Sequence, residues 1–162
     1  MYPCVAACGQ GWEQNGDNCY LWSTNDKNWA DAEEFCVNEG GHLASVTSHA
    51  INEYVVEGMN IKGLNRLWIG GTDIHQEGVW QWTDNMPWEF TAWDQGEPSN
   101  SGGNEDCLVI WGYSGSGYSW NDGHCHRELR FLCSKKTNSG DAYIFDKQCE
   151  IMQKNQWSGP NF

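Results

Sequence analysis

The chain has 162 residues, the length of one compact domain with short extensions. Nine Lys plus Arg against 22 Asp plus Glu give a net charge of −13, which excludes nucleic acid and membrane surfaces rich in anions, since both need a basic stripe. Eleven Trp, 39% hydrophobic residues and only 4 Pro exclude disorder, and no apolar run approaches the roughly 20 residues of a membrane-inserted helix.

Eight cysteines in so short a chain point to an oxidising compartment and a disulfide framework, so a secreted, extracellular protein is expected. Spacing alone leaves the pairing open. The opening MYPC lacks a basic and then apolar leader and reads as a mature N-terminus. A zinc site from His124, Cys125, His126 and Cys133 has neither the C-x-x-C nor the H-x3-H spacing it would need.

Along the chain, CGQGWEQNGDNCYLW reads as strand, turn and strand, with Cys8 and Cys19 around a Gly/Asn cluster. Asn28 caps an expected helix to about Glu39, where Trp29, Ala32, Phe35 and Cys36 recur at helical steps and Gly40-Gly41 stop it. Ser48 caps a second helix, with Ala50, Ile51, Tyr54 and Val55 on one side, which is expected to fray near Gly58. Beyond Gly63, LWIGGTD, VWQW, CLVIW and RFLCS read as short strands. Trp80, Trp82 and Trp88 are expected in the core. After Cys133 a polar linker leads into a tail that carries Cys149. No internal repeat is visible.

Between Asn85 and Trp120 periodicity is weak, and structureless stretches of that length in compact domains are usually functional. Oxygen ligands crowd in the window 97–122: Glu97, Ser99, Asn100, Asn104, Glu105, Asp106, Asn121 and Asp122. Carboxylates packed on one loop repel, and a divalent cation neutralises them; mixed Glu, Asn and hydroxyl donors suit calcium better than magnesium. No EF-hand run is present. No nucleophile, base and orienting group occur together, and His42, His49, His75, His124 and His126 are scattered, so an enzyme is not expected.

Over residues 8 to 134 this arrangement resembles the C-type lectin-like domain in its long form. Trp68-Ile69-Gly70-Gly71 looks like that family's central strand motif, Glu97-Pro98-Ser99 like its EPN/QPD sugar motif, and Trp120-Asn121-Asp122 like its WND motif. The resemblance implies an α+β fold of two helices with small antiparallel sheets and a long calcium-binding loop, flanked by extensions at 1–7 and 135–162. It also implies the pairs Cys8–Cys19, Cys36–Cys133 and Cys107–Cys125. Cys4 and Cys149 fall outside the framework and are open to an intrachain bond or to an interchain bridge that makes a homo-oligomer.

By the same resemblance, a sugar-site calcium would be held by Glu97, Ser99, Glu105, Asn121 and Asp122, with two adjacent hydroxyls of a glycan as its other ligands. An auxiliary calcium site would use Asp73, Glu77, Asn100, Glu105 and Asp106. Glu97 with Pro98 favours the mannose type, meaning equatorial vicinal hydroxyls, over the galactose type. Ser99 stands where the family has Asn or Asp, and as both donor and acceptor it relaxes that preference. Trp111, Tyr113 and Tyr118, in a Gly/Ser-rich loop, are positioned to stack on a sugar face. Domains of this fold also bind proteins, mineral or ice, usually after losing calcium ligands; the nearly complete ligand set here favours sugar.

Overall fold

The computed structural model describes residues 8–113 and 115–137. The chain divides into two compact units, one formed by residues 1–21 with 136–162 and the other by Trp22–Lys135. Cys4, Cys149, the 1–7 extension and most of the 135–162 extension lie outside the described residues.

Strands β1 (Glu13–Asn15) and β2 (Asn18–Trp22) form the expected antiparallel hairpin, with Glu13 opposite Tyr20; all but its last residue, Trp22, belong to the first unit. The Cys8–Cys19 bond closes it, and both cysteines are buried.

The second unit opens with helix α1 (Trp29–Asn38), where the Asn28 side chain accepts the Asp31 backbone N–H at 2.9 Å and so satisfies one orphan donor of the first turn. Trp29, Ala32 and Cys36 are its buried residues, as the helical spacing requires. Strand β3 (His42–Leu43) follows and pairs with β8 (Leu132–Lys136), placing Leu43 opposite Cys133. Cys133 is bonded to Cys36 of α1. Helix α2 (His49–Lys62) starts at Ser48, whose side chain accepts from the Ile51 N–H.

Helix α2 does not fray at Gly58. It runs a further turn and ends at Gly63, whose φ of 66° is the left-handed conformation that glycine adopts without penalty. Gly58 is glycine for another reason: a Cβ there would enter the indole of Trp22. The residue records a close side-chain approach rather than a helix end, and buried Met59 just beyond it keeps the helix packed.

Four strands form the central sheet in the order β5–β4–β6–β7: β4 (Arg66–Thr72), β5 (Gln81–Trp82), β6 (Cys107–Tyr113) and β7 (Gly117–Gly123). The runs LWIGGTD and CLVIW are thus strands as read, of VWQW only Gln81–Trp82 is strand, and β7 is an addition hidden in GYSWNDG. Pairing of β6 with β7 is continuous from Cys107↔Gly123 to Tyr113↔Gly117. The Cys107–Cys125 bond lies at the far end of this ladder. All six described cysteines are therefore bridged, so Cys125 and Cys133 have no thiolate to offer a zinc ion.

The core is built on Trp68, Ile69, Leu108, Ile110, Trp120, Phe131 and Leu132, all buried. Aromatic contacts explain how the irregular segment after Asn85 stays ordered without secondary structure. Trp88 packs 4.5 Å from Trp82, Trp93 4.8 Å from Trp80, and Phe90 5.7 Å from Trp120, in centroid distances suited to offset or edge-on pairs. Trp80 and Trp82 are buried as expected, whereas Trp88 is half-buried although its ring meets both. The Trp120 indole N–H donates to Asn52 at 2.9 Å, which ties the cluster to α2.

Candidate functional site

Strand β7 organises the site through the two-residue period of a strand. At Trp120 the backbone N–H donates to Ala92 and the carbonyl accepts from Asp94, both at 2.8 Å, so segment 92–94 lies alongside β7. Two residues on, Asp122 is only 3% exposed and accepts the Ser99 N–H at 3.0 Å and the Asn100 N–H at 2.6 Å. Between these anchors the chain turns through a cis Glu97–Pro98 bond, and Glu97 Oε2 accepts the same Ser99 N–H at 2.9 Å.

Glu97 and Asp122 therefore meet. Burial, first of all, pushes the Glu97 carboxyl above its ordinary value, and a hydrogen bond shared with Asp122 pushes it further, against the Ser99 hydrogen bonds. Two carboxyl groups in contact hold a proton between them unless a cation takes its place. Ser99 meets Glu97 through both its main-chain N–H and its side chain, and Asp122 through the N–H.

The loop continues as a 3-10 turn (Ser101–Gly103) after Asn100, whose φ of 45° is left-handed. Asn100 Oδ1 accepts the Glu105 N–H at 3.1 Å, and Glu105 Oε2 accepts the Ser101 N–H at 2.9 Å. The loop then docks on the end of β4, where the Asp106 carbonyl accepts from the Asp73 N–H at 3.2 Å and from the Thr72 hydroxyl at 2.6 Å.

That docking creates a second carboxylate group. One oxygen each of Asp73, Glu77 and Asp106 lie within 4.8 Å of one another. Asp73 is 3% exposed; its Oδ2 accepts the Gly78 N–H at 2.9 Å, while its buried Oδ1 has no partner. Burial pushes the Asp73 carboxyl up, the charges of Asp106 and Asp122 add to this, and the Gly78 hydrogen bond opposes it. Glu77 is raised by desolvation and then by Asp73, Asp106 and Asp122, against a hydrogen bond with Asn100. A buried, unpartnered carboxylate oxygen beside two more carboxylates fits a hard cation with oxygen ligands.

The folded chain thus gathers Glu97, Ser99 and Asp122 at one end of the loop, and Asp73, Glu77 and Asp106 at the other, with Asn100 bonded toward both. Glu105, Asn121 and Asp122 line one shared depression. The Asn121 amide makes no hydrogen bond among the described residues. Trp111 and Tyr113 belong to β6 and Tyr118 to β7, so they stand on a hairpin and not on a loop as read; the Gly/Ser run is only its tip. Trp111 is 39% and Tyr113 59% exposed, and with Tyr118, Asp94 and Asn121 they line an open groove of about 510 Å³.

Two groups were not read from sequence. Asp94 reaches the groove because it is bonded beside Trp120. His124 Nε2 lies 3.8 Å from Glu105 Oε1. Only the nearness of His124 to WND hints at its place.

The sequence profile of the family described as the Lectin C-type domain matches residues 25–135. The chain belongs to this family. It is similar to ladderlectin of Oncorhynchus mykiss, with 37% identity over 92% of this chain and 72% of that protein. Among solved structures, the carbohydrate-recognition domain of the mouse scavenger receptor C-type lectin superposes with a TM-score of 0.72 at 31% identity, over 82% of this chain and 98% of that one. Herring type II antifreeze protein does so equally well, with a TM-score of 0.72 at 31% identity over 80% and 98%. C-type lectin domains are generally not enzymes, and among the described residues no helix is long and apolar enough to cross a membrane.

Proposed function

We propose that this C-type lectin domain, residues 8–134, is a secreted calcium-dependent carbohydrate-binding module. The observation that carries the reading is the contact of Glu97 with Asp122 beside the aromatic groove, because it is costly without a cation and useful with one. Glu97, Ser99, Glu105, Asn121 and Asp122 would hold the sugar-site calcium. Asp73, Glu77, Asn100, Glu105 and Asp106 would hold an auxiliary ion that pins the loop.

Calcium bound at the first group supplies coordination positions for a pair of vicinal sugar hydroxyls. The protein selects the diol: Glu97 and Glu105 accept hydrogen bonds from those hydroxyls, and the unengaged Asn121 amide donates one. Trp111, Tyr113 and Tyr118 offer apolar faces to the ring. Glu97 with Pro98 favours mannose-type hydroxyls over galactose-type. Three disulfides support an extracellular setting. Cys4 and Cys149 would link the extensions within one chain or join chains into an oligomer that gains avidity.

The test is binding to immobilised glycans in calcium and then in chelator, with mannose, galactose and N-acetylglucosamine as competitors. Glu97→Ala and Asn121→Ala should each abolish binding without unfolding the protein. Unchanged affinity in either variant would refute the assignment, and binding to ice, mineral or protein in place of sugar would move it toward the antifreeze-type neighbours.

A further inference from the structure

Beside the aromatic groove lies a second depression of about 160 Å³ on the face of the central sheet. Trp111 and Asn121 line both, so the two are contiguous. Resting on the sugar-binding reading, we propose that this depression receives an oxyanion carried by the bound saccharide, a sulfate or a carboxylate, between Arg66 and Arg127.

Charge singles the place out. The chain has only 9 Lys and Arg against 22 Asp and Glu, yet two arginines line this one small depression. Among the described residues neither Arg66 nor Arg127 forms an ion pair, whereas Arg130, three residues on, is paired with Asp26 at 2.8 Å. In so acidic a chain, two unpaired guanidinium groups in one depression leave donors free for an outside anion. Guanidinium forks match carboxylate and sulfate oxygens in a way that a lysine does not.

Both arginines sit on fixed backbone. Arg66 faces Trp111 across the β4–β6 register, with its guanidinium 4.9 Å from the indole centroid. Arg127 belongs to a turn whose N–H donates to the His124 carbonyl at 3.1 Å, and its own carbonyl accepts the indole N–H of fully buried Trp68 at 3.1 Å. Glu105 and Asp122 also line the depression; on the sugar-binding reading the calcium they would hold offsets their charge, and Glu105 Oε2 and both Asp122 oxygens already accept N–H groups of Ser101, Ser99 and Asn100.

Matched sugars that differ by one anion test this, on the full chain in calcium. N-acetylglucosamine is compared with its 6-sulfate, and methyl glucoside with methyl glucuronide. The anionic member should bind about three- to tenfold more tightly, as two partly exposed charge pairs allow. That preference should shrink as salt rises from 50 to 500 mM, roughly as screening shortens. Preference in one pair only identifies the oxyanion. Arg127→Gln should bring the ratio close to one while leaving N-acetylglucosamine affinity unchanged, and Arg66→Lys should keep part of the preference. Equal affinities within both pairs, or a preference that survives in the Arg66→Gln/Arg127→Gln double variant or is indifferent to salt, would overturn the proposal alone. No binding of any of the four sugars in calcium would overturn the sugar-binding reading, and this one with it.

Discussion

Asp73→Asn separates the cost of the carboxylate group from its use. Asp73 and Asp106 place oxygens within 4.8 Å of one another. Two unit charges at that distance repel by about 3.5 kcal/mol at an effective dielectric of about 20 and by about 0.9 kcal/mol in water. Asp106 is half-exposed, so a value of about 1–2 kcal/mol is expected for the pair. An asparagine keeps an oxygen for the Gly78 N–H and turns the unpartnered Oδ1 side into a donor toward its neighbours. In chelator the variant should therefore melt above the parent, by about 2–4 °C per kcal/mol for a chain of this size. In calcium the order should reverse, since the parent gains about 2.7 kcal/mol at 100 times its Kd from a site that the variant has damaged. Acid gives a second reading. The Asp73 carboxyl is raised in the folded state, so its protonated form favours folding. That contribution is greatest below the unfolded value of 3.8 and is lost as pH rises through the raised folded value, so the chelated parent should gain stability on mild acidification from neutral pH. The variant should lack that gain. Calorimetric melts with and without chelator, at pH 7 and about pH 5, check all three signs. A variant less stable than the parent in chelator, or one that keeps the full calcium gain, would refute the reasoning.

Sugar binding should weaken as pH falls from neutral, ahead of the ordinary glutamate value of 4.5, because burial and Asp122 raise the Glu97 carboxyl and a proton then competes with the cation. A flat affinity down to about pH 4 in the glycan-binding assay would contradict this. Gly58→Ala should destabilise by about 1–3 kcal/mol, since the new Cβ meets the Trp22 indole. In a Trp22→Ala background the same change should stabilise by about 1 kcal/mol through helix propensity, a change of sign that denaturant melts would show. Asn28→Ala should cost about 1 kcal/mol by removing the α1 cap, seen as a lower urea midpoint with an unchanged slope.

Local chemistry was legible where it acts locally. Both helix starts follow from Asn28 and Ser48, whose side chains bond backbone N–H groups three residues on. The end of α2 was not legible, because Gly58 answers to Trp22, which lies far away in sequence. The packing of the long segment after Asn85 was not legible: Trp88, Phe90 and Trp93 meet Trp80, Trp82 and Trp120, a cluster no local pattern announces. The Asp73, Glu77 and Asp106 group joins two loops, and only the resemblance to a family brought its members together in sequence.

Strand β7 shows why fold and site are hard to separate in this chain. GYSWNDG has the Gly, Ser, Asn and Asp content of a loop, and it is a strand because β6 pairs with it residue by residue. Within it, Trp120 is buried in the aromatic core and Asp122 is buried against the loop backbone, while Asn121 between them lines the two open depressions. A strand with period two assigns these three duties to three consecutive residues, and a slip of one position in its pairing with β6 would exchange them all. Core packing at Trp120 thus fixes where Asn121 and Asp122 point. Substitutions in the aromatic cluster, such as Trp93→Leu, should for that reason lower glycan affinity as well as stability, and an Asn121 substitution should lower affinity alone.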